Sequence, residues 1–382
     1  MILFMHLRGH FDVPLSAFRP FQLYQGVTFF FILSGFILSL VHPTVGREGT
    51  PEFLLKRLAR IWPAHLATFA LVLVIFPRES WNSSGFGFSW LQVPANLALV
   101  QSWVLVPAYV FSFNAPAWSL SVEFAFYLLF PLLIKNFDCT WHIKLAAALG
   151  LVAIVVFCCS YLNVGWVSPN HEPTFGTVIL ANPLTNLFFF ILGMTTCLMW
   201  RRYSEQIKIG IVTGTAVEVS TLGLVALSLY CCALPATFEG YTIGEPLLVW
   251  LLIAGGVSSL PLAGLIFVAA LQSGLLARLL SFRVFIFLGE ISYSVYLVHR
   301  IILIYYIDRD ALPRVFAGIL WLPYLAIVFL SSYLIWIIIE RPARRWIIGF
   351  VTTREPQRWS RFKIVSVPAA VAALAVLTLG HR

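Results

Sequence analysis

The sequence predicts an all-α polytopic membrane protein, and three features support this fold class. Of the 382 residues, 60% are hydrophobic and only 11% are charged, whereas a soluble domain carries about a quarter charged residues. The apolar residues are grouped in separate runs of about 17 to 25, the length that crosses a bilayer as a helix. The 13 Trp, 13 Tyr and 33 Phe residues suit the bilayer interfaces, where aromatic rings anchor membrane helices.

We expect about ten complete spanning helices after a truncated first helix. The predicted spans are residues 24–42, 61–77, 117–134, 144–163, 182–200, 209–234, 246–271, 285–307, 317–339 and 363–381. The opening "MILFMHL" is too short to cross a bilayer at about 1.5 Å per residue. It also lacks the basic leader and small-residue cleavage site of a signal peptide. We therefore expect that the first helix is truncated; a short interfacial turn is the alternative.

The predicted domain division places a membrane domain at residues 1–346. Residues 347–382 would add a basic cytoplasmic linker and one further transmembrane helix. The polar segments are too short for a second, soluble domain. Six cysteines show neither a CxxC pair nor metal-ligand spacing, so we expect no metal site.

The distribution of basic residues predicts the orientation. If the loop at 43–60 is cytoplasmic, most of the 25 Lys and Arg residues fall on the cytoplasmic side, as the positive-inside rule requires. The two long polar loops, 78–116 and 164–181, then lie outside. The net charge of +9 is explained by this placement. We expect the lipid bilayer as a partner and no nucleic acid, since the basic stretches carry no nucleic-acid-binding motif.

Several ionisable residues fall inside predicted spans, where a charged side chain costs about 2.5–3.5 kcal/mol. They are His6, His65, Glu123, Glu218, Glu290, His299 and Arg300, with Glu340 at a helix end. One interpretation is that these groups pair and fix helix packing. Glu123 favours a polar cleft instead, because Ser119 lies one helical turn before it on the same face. Trp118 precedes both at the mouth of the predicted helix.

Two weaker patterns concern small and basic residues. Ser34 and Gly35 lie in the middle of the second span, where small residues admit a neighbouring helix or a ligand. Arg57 and Arg60 are three residues apart in "FLLKRLARIWP" and are placed to hold a phosphate-bearing molecule from the cytosol. Anchoring of a helix end at the cytoplasmic face is the alternative explanation for the arginines.

Seven segments follow one another along nearly the whole chain. They are "LFMHL" with His6, "GVTFFFILSGF", "KRLARIWP", "NAPAWSLSVEFAFY", "FFFILGM", "FLGEISYSVYLVH" and "ERPARRW". In this order they resemble the bacterial integral-membrane acyltransferase family three, the O-acyltransferases of envelope sugars. The resemblance implies transfer of an acyl group, usually acetyl, from cytosolic acyl-CoA to a hydroxyl of a sugar or polysaccharide acceptor outside. Acyl-CoA is the implied co-substrate, no bound cofactor is expected, and the implied location is the bacterial cytoplasmic (inner) membrane.

The resemblance also implies roles for individual residues. His6 would be the base, because a neutral histidine suits removal of a hydroxyl proton at physiological pH. Glu123 would orient a histidine or bind acceptor hydroxyls, and Arg57 and Arg60 would hold the CoA phosphates. The remaining cavity residues would be Ser34, Trp118, Ser119, Tyr293 and His299. A serine acyl-enzyme is the alternative mechanism, and His10 is an alternative to His6.

The chain departs from the family pattern in two places. The pattern of helix one is a basic residue, ten residues and then histidine, which would begin before Met1 here. Thr28 stands where the family often has Asp, so no carboxylate role is assigned to that position. The alternative function is a proton-coupled transporter or flippase of a lipid-linked glycan, in which intramembrane Glu and His relay protons. A requirement for CoA distinguishes the two, and the sequence does not name the acceptor.

Overall fold

A computed structural model describes residues 1–10, 21–45, 49–81, 88–166, 172–237, 245–308 and 321–352. Within these ranges the chain is helical, without a β-strand, and has one isolated bridge between Gly165 and Thr174. The α-helices are α1 (Ile2–His10), α2 (Gly26–Val41), α3 (Thr50–Ile75), α4 (Gln92–Leu97), α5 (Pro107–Val110), α6 (Trp118–Leu133), α7 (Phe137–Tyr161), α8 (Pro183–Tyr203), α9 (Ile211–Thr237), α10 (Pro246–Leu248), α11 (Ser259–Leu271), α12 (Leu275–Leu280), α13 (Arg283–Asp308), α14 (Trp321–Ile335) and α15 (Arg341–Thr352).

Nine helical segments of the described chain are long and apolar enough to cross a bilayer, which confirms the predicted all-α polytopic fold. They are Leu23–Val41, Thr50–Ile75, Ala115–Leu133, Phe137–Tyr161, Gly176–Tyr203, Ile211–Leu234, Pro246–Leu271, Arg283–Tyr305 and Trp321–Gly349. These correspond to the first nine predicted spans. The tenth, 363–381, lies outside the described residues. The domain boundary at residue 346 stays a prediction, and α15 runs across it.

The largest difference from the predicted boundaries is at α3, which begins at Thr50 rather than at residue 61. Basic residues are good helix formers, so the chain is already helical through its basic segment. Lys56 also pairs with Glu52 one turn earlier, with 2.5 Å between Nζ and Oε1. Arg57 and Arg60 therefore project from a spanning helix and not from a loop.

The centre of the bundle is a close crossing of α2 and α8. A Cβ atom on Gly35 would overlap the carbonyl oxygen of Phe190, and one on Gly193 would overlap the carbonyl oxygen of Ile32. Each glycine thus lets the backbone of the other helix approach, as small residues do in membrane helix packing. The span containing α8 is the most enclosed of the nine, so this crossing fixes the position of α2 within the core.

The seventh span, Pro246–Leu271, is broken in its middle. A π-helical segment, Val249–Ala254, ends at Gly255, whose φ of 102° lies in the left-handed region. Carbonyl groups freed by such a break need partners inside a membrane. Thr28 Oγ1 donates to the Ala254 carbonyl at 2.5 Å, and Gln25 Nε2 donates to the Leu252 carbonyl at 2.7 Å. Thr28 therefore has a structural role at the position where the family often has Asp.

The described residues of the long loop before α6 form short helical turns that pack against the bundle. His65 of α3 is buried and bonds through Nε2 to the Asn96 carbonyl at 3.0 Å. Gln101 Nε2 donates to the Ala117 carbonyl at 3.0 Å, and Ser102 Oγ donates to the Trp118 carbonyl at 2.9 Å. These bonds hold the first turn of α6 in place, on the side predicted to be extracytoplasmic.

Candidate active site

A cavity of about 270 Å³ lies beside the first turn of α6. His6 of α1 and Arg300 of α13 contribute its ionisable lining, and Tyr24, Trp118 and Tyr296 contribute aromatic rings. Tyr24 and Trp118 stack nearly parallel, with 6.2 Å between ring centroids and 8° between planes. We call this the outer cavity, because it lies on the predicted extracytoplasmic side.

His6 faces a second histidine. The ring centroids of His6 and His299 lie 5.3 Å apart, with the planes tilted by 43°. His299 Nδ1 lies 2.6 Å from the Tyr296 carbonyl oxygen. Because a carbonyl only accepts, Nδ1 carries the proton and Nε2 carries the lone pair in the neutral ring. That Nε2 is buried and has no hydrogen-bond partner in the described part of the chain.

Tyr296 joins α13 to the beginning of α6. Its hydroxyl donates to the Pro116 carbonyl at 3.0 Å and accepts from Ser119 Oγ at 2.9 Å. Trp118 and Tyr296 share the wall of the outer cavity with His6. Of the predicted site residues, His6 and Trp118 line the outer cavity. Ser119 and His299 do not line it but contact lining residues, Tyr296 and His6 respectively.

Glu123 belongs to a second, buried polar group one turn further along α6. Its carboxyl accepts hydrogen bonds from Tyr127 and Ser34. Arg57 and Arg60 of α3 interact with it electrostatically. A buried carboxylate needs such partners to offset desolvation. We call Ser34, Arg57, Arg60, Glu123 and Tyr127 the inner group, because it lies toward the predicted cytoplasmic side.

Arg57 is buried and is held from two directions. Its Nη2 lies 2.7 Å from Nε2 of His42, and its guanidinium carbon lies 5.5 Å from the centroid of the Phe53 ring. A guanidinium only donates, so His42 accepts with a neutral ring. Burial, followed by the charges of Arg57 and Lys56, lowers the pKa of His42 to about 3. The end of α2 that is predicted to be cytoplasmic thus presents a neutral acceptor to Arg57.

Further contacts extend the inner group toward the end of the chain. Tyr293 OH donates to the Ile61 carbonyl at 2.6 Å, which links α13 to α3. Ser294 Oγ donates to Glu340 Oε2 at 2.9 Å, and Arg60 and Arg344 interact electrostatically with that carboxylate. Tyr293 therefore lies with the inner group. Glu340 and Arg344 come from "ERPARRW", so this segment also contributes to the inner group.

The sequence pointed to His6, His299 and Arg300 at the outer cavity and to Glu123, Arg57 and Arg60 in the inner group, but it did not point to several of their neighbours. Tyr296 is midway between Tyr293 and His299 at helical spacing, and Tyr127 is one turn after Glu123. That periodicity was the available signal. No pattern in the sequence pointed to His42, because its contact with Arg57 depends on how α2 and α3 pack. The side chain of the alternative base, His10, lies outside the described side chains.

Residues 1–341 match the family model described as an acyltransferase domain. The chain belongs to acyltransferase family three. This family assignment confirms the resemblance and the predicted enzyme class, an acyltransferase. With nine helices able to span a bilayer, the protein is a multi-pass membrane acyltransferase of family three.

Curated proteins similar to the chain agree with this assignment. The chain is 28% identical to Acyltransferase MdmB of Streptomyces mycarofaciens, over 84% of this chain and 80% of that protein. It is 26% identical to the putative peptidoglycan O-acetyltransferase YrhL of Bacillus subtilis, over 72% and 43%. It is 24% identical to the O-acetyltransferase OatA of Staphylococcus aureus, over 74% and 46%. The match covers less than half the length of YrhL and OatA. No solved structure matches the chain.

Proposed function

We propose that the protein transfers an acyl group, acetyl by default, from cytosolic acyl-CoA to a hydroxyl of an envelope sugar or other glycan. The acceptor would lie on the extracytoplasmic side of the bacterial inner membrane. The observation that carries the proposal is the arrangement of two polar groups along α6 and α13. One is a cavity with a histidine, and the other is a buried cluster with arginines. The names of YrhL and OatA, both O-acetyltransferases, support a hydroxyl acceptor and an acetyl donor.

The inner group is suited to hold the donor. Arg57 and Arg60 present guanidinium groups, which bind phosphate in a bidentate manner. Arg344 lies close enough to interact electrostatically with both. Glu123 balances their charge and fixes their position while the site is empty of phosphate. In this proposal Glu123 is a positioning residue, which acts through the arginines.

The outer cavity is suited to the chemical step. His6 takes the proton of the acceptor hydroxyl as its oxygen attacks the thioester carbonyl carbon of acyl-CoA. The carbon–sulfur bond then breaks, the acyl ester forms, and the CoA thiolate recovers the proton from the His6 imidazolium. His299 Nε2 is available as an acceptor for the imidazolium N–H. Direct transfer is favoured over a serine acyl-enzyme, because the Ser119 hydroxyl is hydrogen-bonded to the Pro116 carbonyl and the Tyr296 hydroxyl, neither of which is a base that would activate it.

The test is transfer of label from acetyl-CoA to the envelope glycan fraction by membranes that carry the protein. We expect label with the parent and with His142→Ala, which changes an exposed histidine on α7. We expect none with His6→Ala, although this variant still binds CoA. Unchanged transfer by His6→Ala would remove the assigned base. Absence of transfer from every acyl-CoA tested, with native glycan present, would favour the transporter or flippase.

A further inference from the structure

Arg300 places a positive charge in the wall of the outer cavity. It directly follows His299 on α13 and lines the same cavity as His6. Its neighbours there are aromatic or apolar, including Trp118 and Tyr296. The proposed proton transfer by the histidines does not use this guanidinium. The proposed phosphate binding by the inner group does not use it either.

The guanidinium of Arg300 lacks a counter-ion in the described part of the chain. Its Nε atom is buried without a hydrogen-bond partner. The described lining of the cavity contains no Asp or Glu. A cation at membrane depth is costly when it is unpaired. An anion delivered into the cavity would offset that cost.

We propose that Arg300 binds a carboxylate or phosphate carried by the acceptor, so that the acceptor is an acidic sugar or a sugar phosphate. The proposal rests on the proposed acyl transfer, whose acceptor class it narrows. A planar guanidinium matches both anions in a bidentate manner. The rings of Tyr24, Trp118 and Tyr296 offer flat apolar faces for the sugar. Anion and sugar ring bound in this way would bring a hydroxyl beside His6.

An anionic lipid headgroup offers the same chemistry, and the two sources can be separated. Arg300 shares its cavity with the proposed base, which favours the acceptor as the source of the anion. A lipid would bind without regard to the charge of the sugar. The test therefore uses a sugar with a free carboxylate and the same sugar with that carboxylate esterified, in bilayers with and without anionic lipid.

The probes are phenyl glucuronide and its methyl ester, which have the same ring and the same hydroxyls. Binding of each is measured to the purified full chain in nanodiscs of phosphatidylcholine with and without phosphatidylglycerol, and label transfer from acetyl-CoA is measured in parallel. We expect the acid to bind about tenfold or more tightly than the ester, the effect of a charge-assisted pair. Arg300→Gln should abolish this ratio and Arg300→Lys should keep part of it. Arg78→Gln, which removes an exposed cation from the same predicted face, should retain the ratio.

Four results would overturn the proposal. The first is equal binding of acid and ester by the parent. The second is loss of the acid-to-ester affinity ratio in Arg78→Gln. The third is Arg300-dependent binding of phosphatidylglycerol that replaces glucuronide binding. The fourth is an equal loss of transfer to acid and ester in Arg300→Gln with binding unchanged, because the guanidinium would then act on the reacting carbonyl. A binding preference without any label transfer would count against acyl transfer and leave the Arg300 site in place.

Discussion

The imidazole rings of His6 and His299 have centroids 5.3 Å apart, although they belong to α1 and α13, which are far apart along the chain. The bond from His299 Nδ1 to the Tyr296 carbonyl fixes one ring beside His6 and leaves its Nε2 with the lone pair. This arrangement gives the proposed base a neighbour that accepts a proton or a hydrogen bond. It also places residues of the first and sixth of the seven segments that carry the family resemblance beside one cavity.

Replacing His299 by Ala tests this relationship. We expect kcat for acyl transfer to fall by about tenfold or more, because the His6 imidazolium loses its acceptor. KM for acyl-CoA should change little, since the proposed donor site lies with Arg57 and Arg60. Initial rates over a range of acetyl-CoA concentrations give both constants, and the exposed His142→Ala is the control. A rise in KM with unchanged kcat would assign His299 to donor binding instead.

His42 predicts a pH dependence of stability. Its pKa is lowered to about 3 in the fold, by burial and by the neighbouring charges of Arg57 and Lys56, whereas an unfolded histidine titrates near about 6.5. Between these values the unfolded chain binds the extra proton, so this group reduces stability as pH falls below about 6.5. We expect the melting temperature in detergent to fall less from pH 7 to pH 5 in His42→Gln than in the parent. Parallel curves for the two proteins would contradict this role.

The glycine crossing of α2 and α8 predicts a strong steric effect. Gly35→Ala and Gly193→Ala each place a methyl group against a backbone carbonyl of the other helix. Overpacking a core costs about 1–3 kcal/mol, and backbone contacts cannot move aside as side chains do. Gly150→Ala and Gly223→Ala are matched controls, because a Cβ there meets no atom within 4 Å. We expect folded yield, measured by size-exclusion chromatography, to drop for the first pair alone.

The sequence predicted the helices better than it predicted their partners. Apolar runs located all nine described spans, because span length is imposed by the bilayer. The buried position of Arg57 was not predictable from the sequence. Its segment suits a loop as well as a helix, and in the structure α3 begins about three turns before the predicted span. Contacts such as His6 with His299, or Arg57 with His42, depend on packing between helices far apart in sequence. The family resemblance named His6, Glu123 and the arginines, and the structure separated them into an outer cavity and an inner group.

Glu218 is predicted to be structural. It lies buried on α9, and its carboxylate accepts from the backbone N–H groups of Leu276 and Ala277 at 2.7 and 3.1 Å. These are first-turn donors of α12, which have no partner within their own helix. Glu218→Gln replaces one of the two carboxylate oxygens by an NH2 group, so one of the two backbone N–H groups loses its acceptor. A buried donor without an acceptor costs about 1–3 kcal/mol. We expect a lower melting temperature than for Glu205→Gln, an exposed control, with transfer per folded molecule unchanged. Loss of transfer without loss of stability would give Glu218 a functional role.

The inner group predicts an energetic coupling between Glu123 and Arg57. If Glu123 acts by positioning the arginines, Glu123→Gln and Arg57→Gln should each raise KM for acyl-CoA, by about tenfold for the loss of a charge-assisted contact to phosphate. The double variant should then be no worse than the more severe single variant, because both changes remove the same interaction. Lys56→Gln is the neighbouring control: Lys56 pairs with Glu52 outside the inner group, so KM should stay within about twofold of the parent. Additive effects of the two changes would instead place Glu123 on the acceptor, where it would act independently of the arginines.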